Sequence, residues 1–153
     1  MINIMFVCLG NICRSPMAEF VFRDMVKKAG LSGEIYISSS ATSRWEIGNP
    51  VHHGTRNRLK KVGIDTSGKV AVQLTKDDFL KYDYIIGMEG SNISDMLKIS
   101  GGVNTEKVHK LLDFADGGNI ADPWYTGDFD ATYNDVVKGC KGLLEHLKEK
   151  YDL

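Results

Sequence analysis

Hydrophobic positions along the chain switch between two rhythms. Ile4, Met5, Phe6 and Val7 run without a polar break, as in a strand covered on both faces. A helix opening with Pro16 is expected next, since a first turn does not need the missing N–H. Met17, Phe20, Val21 and Met25 make its apolar stripe, Glu19, Arg23 and Lys27 its wet face, and Gly30 its stop. Glu34 to Ser39 reads as a second strand, and the polar stretch through Trp45, Gly48 and Asn49-Pro50 as a loop. A helix from Val51 to Val62 is expected to end at Gly63. Thr75 is placed to cap a short helix through Leu80, Tyr84 to Met88 reads as a buried strand, and Ser91 is placed to cap the next helix. Val108 to Leu112 is a fourth strand. The last helix is the clearest, with Tyr133, Val136, Val137, Cys140, Leu143, Leu144 and Leu147 on one face and Lys138, Lys141, Glu145 and Lys148 largely outside it.

Strands alternating with helices predict a three-layer α/β/α fold around a four-stranded parallel sheet. No repeat, low-complexity tract or linker-like segment interrupts the pattern, so residues 1–153 are expected to form one domain. Folds of this class hold ligands beyond the carboxyl ends of their strands. At that place the chain carries a loop of Cys8, Leu9, Gly10, Asn11, Ile12, Cys13, Arg14 and Ser15, between the first strand and the first helix.

A thiol, a guanidinium and a hydroxyl in such a loop are the parts of a nucleophile that attacks a phosphoryl group. The backbone N–H groups can turn inward as a nest, and the helix dipole adds partial positive charge. Gly10 and Asn11 tolerate the left-handed conformation that the curl requires. Arg14 offers a planar fork to two phosphoryl oxygens, and the donors that bind a dianion also favour the thiolate of Cys8. Ser15 can donate to that thiolate and help it leave again. A bare C-x5-R spacing arises by chance, with Cys8 a buried strand-end thiol; the strand–loop–helix setting favours the functional reading.

Composition changes little. The net charge of −1 gives no global field for nucleic acid or an anionic membrane, so attraction for a phosphorylated partner must be local. No apolar stretch approaches membrane-spanning length and the start lacks the pattern of a signal peptide, so a cytoplasmic location is expected. Three cysteines argue against a disulfide framework. A monomer is expected.

Expulsion of an alkoxide or phenoxide needs a proton donor. Asp113, Asp116, Asp122, Asp128 and Asp130 share one long stretch. Asp122 stands out because Pro123 stiffens the chain after it, and Trp124 and Tyr125 form an aromatic wall that could desolvate it. The same residues also read as a turn aspartate with two aromatics packed on the core.

The loop of Cys8 to Ser15 with Pro16 to Glu19, the stretch from Trp45 to Pro50, the run from Tyr82 to Met88 and Asp122-Pro-Trp-Tyr125 together resemble the low-molecular-weight protein tyrosine phosphatases. The resemblance runs in order over nearly the whole chain. It implies a parallel sheet of four strands, no metal or other cofactor, and phosphotyrosine proteins as substrates, with phosphate and other oxyanions as competitive ligands. It implies a two-step reaction in which Cys8 attacks the phosphoryl group while Asp122 protonates the phenol, and Asp122 then activates the water that hydrolyses the phosphocysteine. Arg14 and the loop amides hold the equatorial oxygens throughout. Asn11 is expected to hold the loop's shape by side-chain hydrogen bonds, with Ser15 and Ser39 as partners. Trp45, Trp124 and Tyr125 are expected to line the slot for the substrate ring, with Leu9 and Ile12 at its mouth; core packing is the other reading, and a stronger one for Ile12 than for either Trp. Cys13 either fills space beneath the loop or, as the resemblance suggests, pairs reversibly with Cys8 to protect it from oxidation. Cys140 reads as an inert core thiol.

Relatives usually carry a Ser-His-x-Ala-Arg segment after the second helix, and the histidine helps brace the phosphate loop. Here the chain reads Ser67-Gly-Lys-Val-Ala-Val72, with neither the histidine nor the arginine, and the ammonium of Lys69 can only donate. The Met-Asp pair common after the third strand is Met88-Glu89.

Gly63 to Lys69 almost spells a nucleotide-binding loop, but Val70 stands where a magnesium-holding Ser or Thr is needed, and the segment follows a helix. His52-His53 reads as a solvated pair. Three rival functions remain in view: an arsenate reductase, which needs a relay cysteine near the site; a protein-arginine phosphatase, which resembles this chain but carries Thr where Ile12 stands; and a non-enzymatic phosphoprotein-binding module.

Overall fold

The computed structural model describes all residues from Met1 to Leu153. Strand β1 (Ile2–Cys8) lies inside a parallel sheet of order β2-β1-β3-β4, with β2 (Ile35–Ala41) on one side and β3 (Tyr84–Gly87) on the other, and β4 (Val108–Lys110) beyond β3. The sheet is the four-stranded parallel one expected. Alternate residues of β1 feed two separate cores, which is why its apolar run has no polar break. Ile4, Phe6 and Cys8 pack with helix α1 (Arg14–Lys28) and the last helix, whereas Met5 and Val7 pack with Leu74, Phe79 and Met96 on the opposite face. Phe79 belongs to the short helix α3 (Asp78–Lys81) and Met96 to α4 (Gly90–Ser100). Helix α2 (His53–Lys60) lies near α1, and α5 (Pro123–Thr126) precedes the long α6 (Phe129–Tyr151).

Several boundaries differ from the expectations. Helix α1 begins at Arg14, so Pro16 is its third residue; any first-turn N–H is free of an intrahelical partner, which lets proline sit there. Strand β2 continues to Ala41, because Ser39 and Ser40 are buried against Phe6 and Val7 of β1 despite their hydroxyls. Helix α2 is shorter at both ends than Val51 to Val62, and Gly63 follows it with φ +77°. Thr75 lies ahead of α3, donating its N–H and hydroxyl to the Asp78 carboxylate. Glu89, not Ser91, caps α4, in a reciprocal arrangement with Asn92. Strand β4 stops at Lys110 because Leu111 and Leu112 enter a 3-10 turn.

Helix α6 packs closely on that turn. A Cβ on Gly142 would lie 1.9 Å from the Phe114 carbonyl oxygen, and one on Gly139 2.5 Å from Leu111 Cγ. The strand order reverses at β1, so the crevice at its carboxyl end opens where Cys8 stands.

Candidate active site

The loop after β1 turns at Asn11, whose φ of 58° is left-handed. The turn brings the Asn11 N–H to 3.3 Å and the Ser15 N–H to 3.5 Å from Cys8 Sγ, with Ser15 Oγ at 3.0 Å. The two Ser15 donors stand in the first turn of α1, where Cys13 caps the helix without a side-chain hydrogen bond and leaves first-turn N–H groups available to an anion.

Asn11 is fixed from both ends of its amide. Its Oδ1 accepts the Val72 N–H at 3.1 Å, while Nδ2 donates to Ser15 Oγ at 2.7 Å and to Ser39 Oγ at 2.9 Å. Ser39 in turn donates to Glu19 Oε1 at 2.6 Å. Glu19 corrects an expectation: placed on the wet face of α1, it is 4 % exposed. The first turns of α1 are enclosed on every side, and Glu19 is compensated there by Arg23 at 2.5 Å and by Lys69 at 3.7 Å.

Arg14 is 2 % exposed and is held before any substrate arrives. Its Nη1 pairs with Glu89 and donates to the Ile120 carbonyl at 3.0 Å, and Nη2 reaches Asp122 Oδ2 at 3.3 Å. Those contacts leave Nε–H and one Nη2–H, the side-on fork suited to two phosphoryl oxygens. Burial works against the charge of Glu89, but hydrogen bonds from Arg14 and Ser91 outweigh it and hold the carboxyl below the usual range. Asp122 accepts the Trp124 N–H on Oδ1 at 3.0 Å and so caps α5, with Pro123 in the first turn. Its carboxylate meets a guanidinium and a backbone donor instead of lying wholly within an aromatic wall.

A cavity of about 150 Å³ joins these groups. Buried Cys8 and Arg14 with half-buried Asp122 are its chemical end, Leu9, Gly10 and Ile12 lie along it, and the exposed rings of Trp45, Trp124 and Tyr125 form its outer wall. Cys13 also borders it; burial and the neighbouring Cys8 push its thiol up to about 12, so it stays protonated at neutral pH. All three cysteines are free, and Cys140 is enclosed between α6 and the Ala18 carbonyl, away from the cavity.

Glu46, on the cavity wall, was not anticipated, nor was the place of His52. Instead of a solvated imidazole, His52 caps α2 by accepting the Gly54 N–H on Nδ1. Its ring stacks on Phe129 and meets the edge of Trp124 at 5.7 Å between centroids, while the His52 backbone N–H donates to the Ile12 carbonyl. It thereby touches both the phosphate loop and the cavity wall. Gly54, two positions on and small enough to admit the Phe129 ring, is the only local hint.

Comparison with known proteins agrees with this geometry. Residues 3–153 match the family described as low molecular weight phosphotyrosine protein phosphatase. The chain is 42 % identical to the low molecular weight protein-tyrosine-phosphatase YfkJ of Bacillus subtilis over the full length of both. It is also 42 % identical to the human low molecular weight phosphotyrosine protein phosphatase, over 94 % of each chain. The YfkJ crystal structure superposes with a TM-score of 0.95 at 41 % identity, covering 98 % of this chain and 96 % of that one. A Drosophila arginine phosphatase superposes with a TM-score of 0.88 at 28 % identity, covering 95 % and 97 %, so the fold carries more than one specificity. The match over the whole chain, together with the cysteine loop that it contains, makes this protein a member of the low molecular weight phosphotyrosine protein phosphatase family.

Proposed function

We propose that the site removes phosphate from tyrosine in proteins by way of a phosphocysteine on Cys8. The carrying observation is that Cys8 Sγ, ringed by the Asn11 and Ser15 donors, shares one cavity with the Arg14 fork, Asp122 and three aromatic walls. In the first step the thiolate bonds to phosphorus, the P–O bond breaks, and protonated Asp122 gives its proton to the departing phenolate oxygen. In the second, the Asp122 carboxylate takes a proton from water, the water oxygen bonds to phosphorus, and the P–S electron pair returns to sulfur. Arg14 and the loop N–H groups hold the phosphoryl oxygens through both steps. Leu9, Gly10, Ile12 and Cys13 contribute their backbone to this cradle.

Flat rings at Trp45, Trp124 and Tyr125, with the bulk of Ile12, favour a phenyl group over a guanidinium chain. Arsenate reduction by a relay through Cys140 lacks support, because Cys140 is buried away from the cavity. Three free thiols suit a reducing compartment, and we place the enzyme in the cytoplasm. No helix is long and apolar enough to cross a membrane.

The test compares phosphotyrosine, phosphoserine, phosphoarginine and arsenate with one purified protein. Phosphotyrosine is expected to turn over fastest and C8S to abolish turnover. Aryl phosphate hydrolysis that survives C8S would overturn the mechanism, and faster turnover of phosphoarginine would overturn the specificity.

A further inference from the structure

Lys69 lies on the loop after α2, and its ammonium cannot accept a hydrogen bond. Its side chain is nonetheless drawn inward, 13 % exposed, with Nζ 2.8 Å from the Ser39 carbonyl oxygen and 3.7 Å from Glu19 Oε1. A lysine gains nothing by such burial alone; desolvation pulls its pKa below the ordinary range, and Glu19 opposes that pull. A buried ion pair is also weak support for stability. The reason for this one lies in what Glu19 does next.

An ionised carboxylate only accepts, so the Ser39 hydroxyl must donate to Glu19 and can only accept from Asn11 Nδ2. The Asn11 amide cannot turn over, because its Oδ1 takes the Val72 N–H. Its second Nδ2–H therefore goes to Ser15 Oγ, whose own proton faces Cys8 Sγ at 3.0 Å, with the Ser40 carbonyl oxygen more distant at 3.5 Å. Every proton from the carboxylate to the sulfur then has one direction, and charge-assisted links of this kind are the strong ones.

We propose that Lys69 and Glu19 act as a positioning pair for the nucleophile: with Arg23 held on Oε2, the Lys69 ammonium beside Oε1 keeps the oxygen that takes the Ser39 hydroxyl a pure acceptor and so aims the Ser15 hydroxyl at Cys8. Neither residue touches substrate. Their effect falls on the step in which the P–S bond breaks and the electron pair returns to sulfur, where the Ser15 O–H donates to the leaving thiolate. The inference rests on the phosphocysteine mechanism proposed above.

The experiment measures kcat and KM for p-nitrophenyl phosphate, with the melting temperature of each variant, in wild type, K69M, K69R, S39A and S15A. Loss of a hydrogen bond to a charged group corresponds to about a tenfold fall in rate or more, so kcat is expected to drop at least about tenfold in K69M, with KM within about threefold. K69R, which keeps the charge and the donors, is expected to recover most of that loss. S39A cuts the chain while leaving the Ser39 carbonyl and Glu19 to Lys69, and is expected to match K69M; it serves in place of K69M should that variant not fold. K69M combined with S15A is expected to be no slower than S15A alone. Unchanged kcat in K69M or S39A, no recovery in K69R, or losses that multiply with S15A would each overturn the pairing. An inactive wild type would instead overturn the phosphocysteine mechanism.

Discussion

Asp122 touches Arg14 with one carboxylate oxygen and caps α5 with the other, so the proposed acid is also the residue that holds Trp124 in place. The two roles separate by substitution. Asn keeps an oxygen for the Trp124 N–H but cannot carry the proton, whereas Ala loses both. D122N is expected to slow phenyl phosphate, a poor leaving group, by about 100-fold or more while slowing activated esters far less. D122A is expected to raise KM as well, because α5 frays. Equal losses for both leaving groups in D122N would remove Asp122 as the acid.

Glu89 sets the orientation of Arg14 from the other side, through Nη1. E89A frees a guanidinium that is otherwise in place before phosphate arrives, and reordering it is expected to lower kcat/KM for aryl phosphates about tenfold. Inhibition by inorganic phosphate checks the same point. Tighter phosphate binding in E89A would show that Glu89 competes for Arg14 instead of preparing it.

His52 makes the fold sensitive to acid. Burial, then the neighbouring His53, lowers its pKa below the ordinary histidine value, so the unfolded chain takes up the proton first as pH falls. Its contribution to stability is complete above about pH 6.5 and is lost as the pH drops from there through the lower folded pKa, when Nδ1 can no longer accept from Gly54. Burial lowers His109 in the same direction. The melting temperature is expected to fall between pH 7.5 and pH 5, and less so in H52N, whose side chain still caps α2 but does not titrate. An equal fall in both proteins would exclude His52 as a contributor.

The thiol pair gives a redox prediction. Peroxide converts the Cys8 thiolate to a sulfenic acid, and attack by the Cys13 sulfur would release water and form a disulfide that a thiol reductant reverses. Wild type is expected to recover after mild peroxide, and C13S to lose activity permanently. Equal recovery would reject the protective pairing.

Tight packing at Gly142 yields a stability prediction with no bearing on chemistry. Its hydrogen faces the Phe114 carbonyl, and a methyl group there must push α6 away from backbone that cannot rotate aside. G142A is expected to cost about 3 kcal/mol, or roughly 10 °C in melting temperature for a chain of this size. Activity per folded molecule should not change, and an unaltered melting curve would contradict the packing.

Much of this architecture can be read from the chain before any fold is known. The period of α6 and the run in β1 show which faces are covered, and Asn11 and Pro16 mark the turn between strand and helix, whereas Gly10 does not take the left-handed conformation expected of it. Glu19 is illegible by the same logic. A carboxylate four residues from Arg23 looks like an exposed helical pair, and its burial depends on Lys69, which arrives from a distant loop. Ser40 conceals the end of β2 because its hydroxyl looks wet, yet it lies against Val7 of the central strand. His52 is hidden for a related reason: a stack between three aromatic neighbours is a tertiary event with no period along the chain.

Strand β1 is bonded on both sides, and Cys8 is its last residue, whereas Asp122 stands at the head of a four-residue helix held by few contacts. The two halves of the chemistry therefore belong to regions of different opening free energy. Amide exchange should be slowest around the nucleophile and fast around the acid, so thermal fluctuation can admit a bulky phosphoprotein by moving the acid while the sulfur stays where it is.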